Sequence, residues 1–324
     1  MAPKQRQVEG LEMNDCVLLT GAAGFIGSHL AERLVNDNYK VIILVRKSKD
    51  DLWRLSSFLD KLNVVDLEKD SLSDVFSKNK IDCVIHLATY YKKTHTLTDI
   101  APMIDANITL GTNILEQMQL HKVNYFINTG TFFEYELSSS PIDEQAQKKP
   151  YNLYAAMKVA FSEILMHYSR TYAIKSVDLK LFSPYGPRDN DKLVNFLIKN
   201  IVENKKFETT KGEQQWNWTY VIDIVDAIMC SIEYLKKTGE NYATYNIGQN
   251  RVWSIKEMIN IIEKLNGKSD LSTPIKPYDE HEIFYVCCDN TKAASELQWR
   301  PKYDLDLGLK LTCAYYLEKY KDKK

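Results

Sequence analysis

Residues 16–30 read CVLLTGAAGFIGSHL: an apolar run, three glycines spaced three apart, and the start of an amphipathic pattern. The run is a buried strand. Beyond it Leu30, Leu34 and Val35 mark one helical face, with Glu32 and Arg33 outside that face. Gly21, Gly24 and Gly27 therefore stand between a strand and a helix, the setting a dinucleotide-binding turn requires. In that reading Gly21 permits the tight turn and Gly24 lets backbone approach a pyrophosphate. Gly27 allows close helix packing, and the helix N-terminus faces the phosphates. A ligand-free glycine turn is the plainer alternative, and the strand–helix setting weighs against it.

The same rhythm continues outward. KVIILV, NVVDL, DCVIHLA and VNYFINTG, and later SVDLKLF and ATYNIG, are short β-rich runs alternating with helical patterns. Such alternation predicts an α/β fold, a Rossmann-type doubly wound parallel sheet. Two stretches break the rhythm: DNDKLVNFLIKNIVENKKFETTKGEQQWNWTY and LSTPIKPYDEHEIFYVCC. They predict a small discontinuous substrate-binding cap domain. The expected organisation is an N-terminal tail (1–14) and a nucleotide-binding domain (15–183, with 225–271 returning to it). The cap takes 184–224 and 272–316, and a C-terminal tail takes 317–324.

Composition excludes several classes. The formal net charge of the 324 residues is −1, so no global field favours nucleic acid or an anionic membrane. No apolar run approaches the ~20 residues that span a bilayer, and the first residues lack a signal-peptide core. The expected location is cytoplasmic. The six cysteines show no metal-ligand spacing, and most lie in apolar runs, which reads as reduced packing thiols. His95 has no partner spacing, so no metal site is assigned.

The second strand ends VIILVRKSK, and Arg46 stands nineteen residues after Gly27, where a ribose-binding acid is otherwise expected. Lys47, Ser48 and Lys49 follow, and the first carboxylate is Asp50. A guanidinium can fork onto a 2′-phosphate, so the cofactor is expected to be NADP(H). A solvated basic turn is the alternative. Asp66 either accepts from an adenine amino group or caps a helix.

YNLYAAMK puts Tyr154 and Lys158 four residues apart, on one helical face. An ammonium nearby stabilises a phenolate and brings tyrosine proton transfer towards neutral pH. Upstream, NTGTFF places Thr131 at a strand end, directly before Phe132 and Phe133.

With these residues in view the sequence resembles the extended short-chain dehydrogenase/reductases that act on nucleotide sugars. The resemblance runs from TGAAGFIGSHL through HLA (86–88), NITLGTNILE (107–116), YAAMK, SPYGPR (183–188), YVIDIVDA (220–227) and YNIGQN (245–250) to WRPKYDLDLGL (299–309). It implies a catalytic set of Thr131, Tyr154 and Lys158. It implies cofactor contacts at Gly21, Gly24, Phe25, Ile26, Gly27, Arg46, Asp66, Leu67, Leu87, Ala88, Asn107 and Pro184. It also implies a homodimer pairing through the helix of Tyr154 and the one following Asn107, in a four-helix bundle.

In that family the 4,6-dehydratases carry an Asp-Glu pair after the catalytic hydroxyl, because elimination needs its own acid and base. Phe132 and Phe133 transfer no protons, which leaves hydride chemistry. The later segment is similar to the CDP-sugar 4-ketoreductases that make paratose and abequose. The expected activity is therefore NADPH-dependent reduction of the C4 ketone of a CDP- or dTDP-linked 4-keto-6-deoxy or 3,6-dideoxy sugar. That would be a step in deoxysugar biosynthesis for surface polysaccharide such as O-antigen. The alternatives are an NAD(P)-dependent nucleotide-sugar 4-epimerase and a non-catalytic NADP-binding regulator. Where many relatives have Arg-Asp-Phe this chain has Trp216-Asn217-Trp218, and no arginine lies near His281. Tyr90, Phe132, Phe133, Trp216 and Trp218 are the substrate candidates. The tryptophans either stack on a base or pack in the core, and Arg188, Arg251 or Lys276 is left to supply charge.

Overall fold

A computed structural model describes residues 15–321 except Lys47, Lys49, Asp191 and Gly239, with backbone alone for Tyr320 and Lys321. The expected N-terminal tail, two lysines of the basic turn and residues 322–324 lie outside the described residues.

Seven strands form the main sheet: β1 (Cys16–Thr20), β2 (Lys40–Val45), β3 (Asn63–Asp66), β4 (Cys83–His86), β5 (Tyr125–Thr131), β6 (Lys175–Leu181) and β7 (Tyr242–Ile247). Their order is β7-β6-β5-β4-β1-β2-β3, and the β1/β2, β1/β4, β2/β3 and β4/β5 pairs are parallel. The chain crosses over after β3, as in a doubly wound nucleotide-binding sheet. Ten α-helices are described: α1 (Phe25–Asn36), α2 (Leu72–Lys78), α3 (Leu97–Ile104), α4 (Leu110–His121), α5 (Leu153–Tyr172), α6 (Leu193–Val202), α7 (Val221–Lys237), α8 (Ile255–Leu265), α9 (Thr291–Glu296) and α10 (Leu305–Lys321). Among the described residues no helix is long and apolar enough to cross a membrane.

The chain divides into two compact units. The first takes the described residues up to Thr129 with Met157–Asp178 and Ile228–Thr244. The second takes Gly130–Ala156, Leu179–Ala227 and the described residues from Tyr245 on.

In the first unit every residue of β1 and all but Lys40 of β2 are buried, as strands covered on both faces must be. Leu18, Ile42, Leu44, Val84 and Phe126 pack with Phe76 of α2, Ile114, Leu115 and Met118 of α4, and Phe161 and Leu165 of α5. Each such side chain contributes about 1.5–3 kcal/mol on burial. Local signals set the helix starts. Ser71 accepts the Asp74 N–H at 3.1 Å ahead of α2, and Thr96 and Asp99 form a capping box at α3. Between α3 and α4 the helix widens into a π-turn over Asp105–Thr109.

The second unit has a different texture. Its strands are mostly two or three residues long: Gln215–Trp216 pairs with Trp253–Ser254 and Tyr285–Val286, Phe207–Thr209 with Ser272–Pro274, and Pro184–Tyr185 with Thr219–Tyr220. One core joins Leu197 and Ile198 of α6, Met258 and Ile262 of α8, and Leu305 and Leu309 of α10 with Trp218 and Trp253. A second, smaller core joins Phe132, Tyr135, Ile142, Phe182, Val286 and Cys288. Asp223 of α7 accepts the Lys302 and Tyr303 N–H groups at 2.7 and 3.2 Å, and Trp299 Nε1 donates to the Asp223 carbonyl at 2.9 Å. The segments YVIDIVDA and WRPKYDLDLGL, far apart in sequence, are thereby tied together. All six cysteines are free thiols, and burial pushes Cys16 and Cys313 up to about 11 and Cys83 to about 12.

Candidate active site

The glycine loop belongs to the first unit. Gly21 has φ +71°, and a Cβ there would lie 2.7 Å from the Ala88 nitrogen and the Leu87 carbonyl carbon. At Gly27 a Cβ would lie 2.1 Å from the Gly21 oxygen. The turn closes through Gly24 N–H to Gly21 O at 3.0 Å. Gly24 starts α1 with extended backbone and no side-chain cap, so the first-turn N–H groups of α1 are left to an anion. This backbone cradle fits a dinucleotide pyrophosphate. Phe25 is buried and Ile26 half-buried beside it, and Leu67 hydrogen-bonds Val45 O at 2.8 Å at the end of β3.

At the end of β2 the Asp50 carboxylate turns back to accept the Arg46 N–H at 2.6 Å. Among the described residues the Arg46 guanidinium pairs with no carboxylate. Glu68 accepts the Ser48 N–H at 3.0 Å and also its hydroxyl, which ties the turn to the end of β3. Asp66 is buried and accepts the Glu68 N–H at 3.2 Å, which puts it in a turn. Arg54 is a residue the sequence reading missed: its guanidinium donates to Ala23 O, inside the glycine loop, at 3.3 Å. No local spacing announces it.

Behind the loop, Thr20 Oγ accepts the Leu87 and Ala88 N–H groups at 3.2 and 3.1 Å and lies 2.9 Å from His86 Nδ1. Its one proton therefore goes to Nδ1, which fixes the His86 tautomer with hydrogen on Nε2. Burial, and then the nearby Lys158 ammonium, push His86 down to about 3. Lys158 itself is 2% exposed and donates to Thr129 O on β5 at 2.9 Å. Asn107, inside the π-turn, accepts from the Thr89 hydroxyl and the Tyr90 N–H at 2.6 and 3.1 Å and donates to Tyr90 O at 3.0 Å. Its amide thus pins the loop after β4. The Tyr90 hydroxyl donates to Asp99 at 2.9 Å, and hydrogen bonds from Thr96 and Tyr90 hold Asp99 down to about 2.

Thr131 and the aromatic candidates belong to the second unit. Thr131 ends β5 and caps a short turn, Phe132–Glu134. Its Oγ accepts the Phe133 N–H at 3.3 Å, and its own N–H goes to Glu134 Oε1 at 2.8 Å. The Phe133 and Glu134 carbonyls then accept the N–H groups of Tyr151 and Lys149 at 2.9 and 3.0 Å. The turn is thereby bonded to the segment that enters α5, where Tyr154 is 9% exposed on the first turn. Phe132 stacks on Phe182 and meets Trp216 edge-on; Phe133 stacks on Tyr151; Trp216 stacks on Trp218. Phe132 and Trp218 are buried, while Phe133 and Trp216 are half-buried and offer the accessible rings. Trp216 Nε1 is committed to Ile283 O at 2.8 Å. Pro184 follows Ser183, whose φ of +37° is a strained conformation for a residue with a side chain. The structure therefore gathers four of the substrate candidates into one cluster, while Tyr90 lies in the first unit against Asp99.

Glu134 is the second residue the sequence reading missed. It is fully buried and bonded to Lys180, although Thr-x-x-Glu is the spacing of a capping box and was open to view.

The sequence profile of the NAD dependent epimerase/dehydratase family matches residues 17–248. Among similar proteins, CDP-abequose synthase of Salmonella muenchen is 28% identical over 308 residues, 93% of this chain and 97% of that one. UDP-glucuronate 4-epimerase of Thermodesulfobacterium geofontis is 28% identical over 309 residues, 91% of this chain and 94% of that one. A crystal structure of UDP-glucuronic acid 4-epimerase from Bacillus cereus, in complex with UDP-glucuronic acid and NAD, superposes with a TM-score of 0.82. It shares 27% identity and covers 94% of this chain and 99% of that one.

Proposed function

The chain belongs to the NAD dependent epimerase/dehydratase family, and on that premise we propose that it is an NADPH-dependent nucleotide-sugar 4-ketoreductase. Its substrate is a CDP- or dTDP-linked 4-keto-6-deoxy or 3,6-dideoxy sugar. The observation that carries this reading is the pair Phe132–Phe133 after Thr131: two rings in tilted contact, 4.1 Å between centroids, occupy the positions where elimination would need an acid and a base. Similarity to a CDP-abequose synthase supports the choice of sugar. The Arg46 guanidinium at the end of β2 supports a 2′-phosphate on the cofactor.

The glycine loop, the start of α1, Arg46 and Arg54 would hold the dinucleotide, which when bound supplies hydride to C4. Tyr154 protonates the oxygen that becomes the C4 hydroxyl. Lys158, four residues on in α5, is the cation that would lower the cost of giving up that proton. The Thr131 hydroxyl donates to the same sugar oxygen. Phe133 and Trp216 offer apolar faces, which suit a deoxygenated sugar edge better than a charged one. The protein acts in the cytoplasm as a homodimer through α4 and α5, which carry the exposed Leu120 and Tyr172.

The test is incubation with NADPH and a panel of 4-keto nucleotide sugars, following NADPH absorbance and product together. Stoichiometric NADPH loss is the expected outcome. The second reading, a 4-epimerase, is favoured by the 4-epimerase relatives, and sugar interconversion without net NADPH loss would establish it.

A further inference from the structure

Glu134 is a carboxylate with no access to solvent, in a family position where its neighbours Phe132 and Phe133 have no charge. Its two oxygens do different things. Oε1 accepts the Thr131 N–H at 2.8 Å, and Oε2 takes the Lys180 ammonium at 2.5 Å. Lys180 is 1% exposed on β6, and Lys148 adds a second ammonium 3.9 Å from Oε2. Gly130 makes room for the pair: a Cβ there would lie 2.3 Å from Glu134 Oε1 and 2.8 Å from Lys180 Nζ.

A capping carboxylate at the first turn of a short surface helix is ordinarily exposed and needs no buried cation. Here the turn has three residues, and burying two charges for a helix that short is poor value as stabilisation alone. What the pair does fix is the Thr131 peptide. With its N–H held by Glu134 and its Oγ accepting the Phe133 N–H, Thr131 has one donor left, its hydroxyl proton, which has no acceptor among the described residues. We infer that Glu134, locked by Lys180, is a positioning residue that aims the Thr131 hydroxyl proton at the substrate oxygen, resting on the catalytic reading of Thr131 above. Through its carbonyl bond to the Lys149 N–H, the same residue also anchors the strand of chain that leads to Tyr154.

Two double variants isolate the effect. Glu134→Gln with Lys180→Met and Glu134→Leu with Lys180→Met both remove the buried charges, but only the first keeps an acceptor for the Thr131 N–H. The glutamine pair is expected to retain kcat within a few-fold, and the leucine pair to lose roughly 10²-fold, as misplacement of a catalytic group does. KM and NADPH affinity should match between the two. In a Thr131→Ala background the gap between them should vanish, because Glu134 acts through that hydroxyl. Equal kcat in the two pairs, or a gap that persists without the threonine hydroxyl, overturns the inference. Should the neutral pairs not fold, Glu134→Asp keeps the charge and shortens the reach, and undiminished kcat there overturns it equally. The assay uses whichever sugar conversion the wild-type chain performs, so an epimerase outcome leaves it intact. A wild-type chain that converts none sinks the functional reading alone. The positioning claim is then decided by amide exchange at Thr131, and equal protection in the two pairs rejects it.

Discussion

At Gly21 and Gly27 the chain leaves side chains out; at Phe132, Phe133, Trp216 and Trp218 it crowds them in. The first region, in the first unit, is built from backbone, with a positive φ, a carbonyl that excludes any Cβ, and uncapped N–H groups at the start of α1. The second region, in the second unit, is built from rings that stack on one another and on Phe182 and Tyr151. A phosphate is the same in every dinucleotide, so the backbone that receives it follows one spacing. A sugar differs from enzyme to enzyme, so its site is written in side-chain identity.

The comparison breaks most decisively at Tyr154. Tyr154→Phe should lower turnover by roughly 10³-fold, the scale of a lost proton donor, while NADPH titration stays near the wild-type curve. Turnover that survives would remove the chemistry from the second unit. The converse variant is Gly21→Ala, where a side chain meets a φ of +71° and the Ala88 backbone. Dinucleotide affinity should fall by about 10²-fold or more, with a lower Tm, whichever sugar is offered. Arg46→Asp tests the proposed choice of NADPH over NADH. The ratio of kcat/KM for NADPH to that for NADH should fall by roughly 10- to 100-fold, the worth of a charge-assisted contact to phosphate.

The smallest effects are pH slopes, and they have opposite signs in the two units. His86 is held neutral, down to about 3, so the unfolded chain binds more protons as pH falls below the usual 6.5. Stability is then lost on acidification between those values, by about 1.4 kcal/mol per pH unit at most. Asp223 is raised to about 6, by burial first, with hydrogen bonds from Lys302 and Tyr303 opposing. There the folded chain binds more protons between 3.8 and about 6, so stability falls as pH rises through that window. Relative to wild type, the denaturant midpoint between pH 4 and pH 6 should therefore rise more steeply with pH in Asp223→Asn and less steeply in His86→Asn. Slope changes of one sign in both variants would contradict the assignment.

β1, β2 and β4 were legible because strands buried on both faces are mostly apolar, and all seven β-rich runs are strands, although the buried Asp178 and Lys180 interrupt the apolar pattern of β6. The glycine loop was legible for the reason given above. The short strands of the second unit were not, since a two-residue strand such as Gln215–Trp216 has no periodicity to detect. Arg54 escaped because its bond to Ala23 O is tertiary and leaves no spacing. Glu134 escaped although its Thr-x-x-Glu signal was present, because only the fold brings Lys180 to it and makes the carboxylate costly enough to notice. The tautomer of His86 required knowing that Thr20 already accepts two N–H groups.

Lys158 grips the carbonyl of Thr129, and Thr131 is two residues further along β5. Along a strand both side-chain face and carbonyl direction repeat every two residues, so the lysine's carbonyl anchor and the hydroxyl keep a common parity. A slip of β5 against β4 by a single residue would turn both away at once, since the register pairs His86 with Asn128 and admits no half-step. A one-residue slip at this pairing therefore cannot yield a slightly impaired site: a slipped molecule loses both groups together. Active-site titration of refolded protein should accordingly count molecules slipped at this pairing as silent ones.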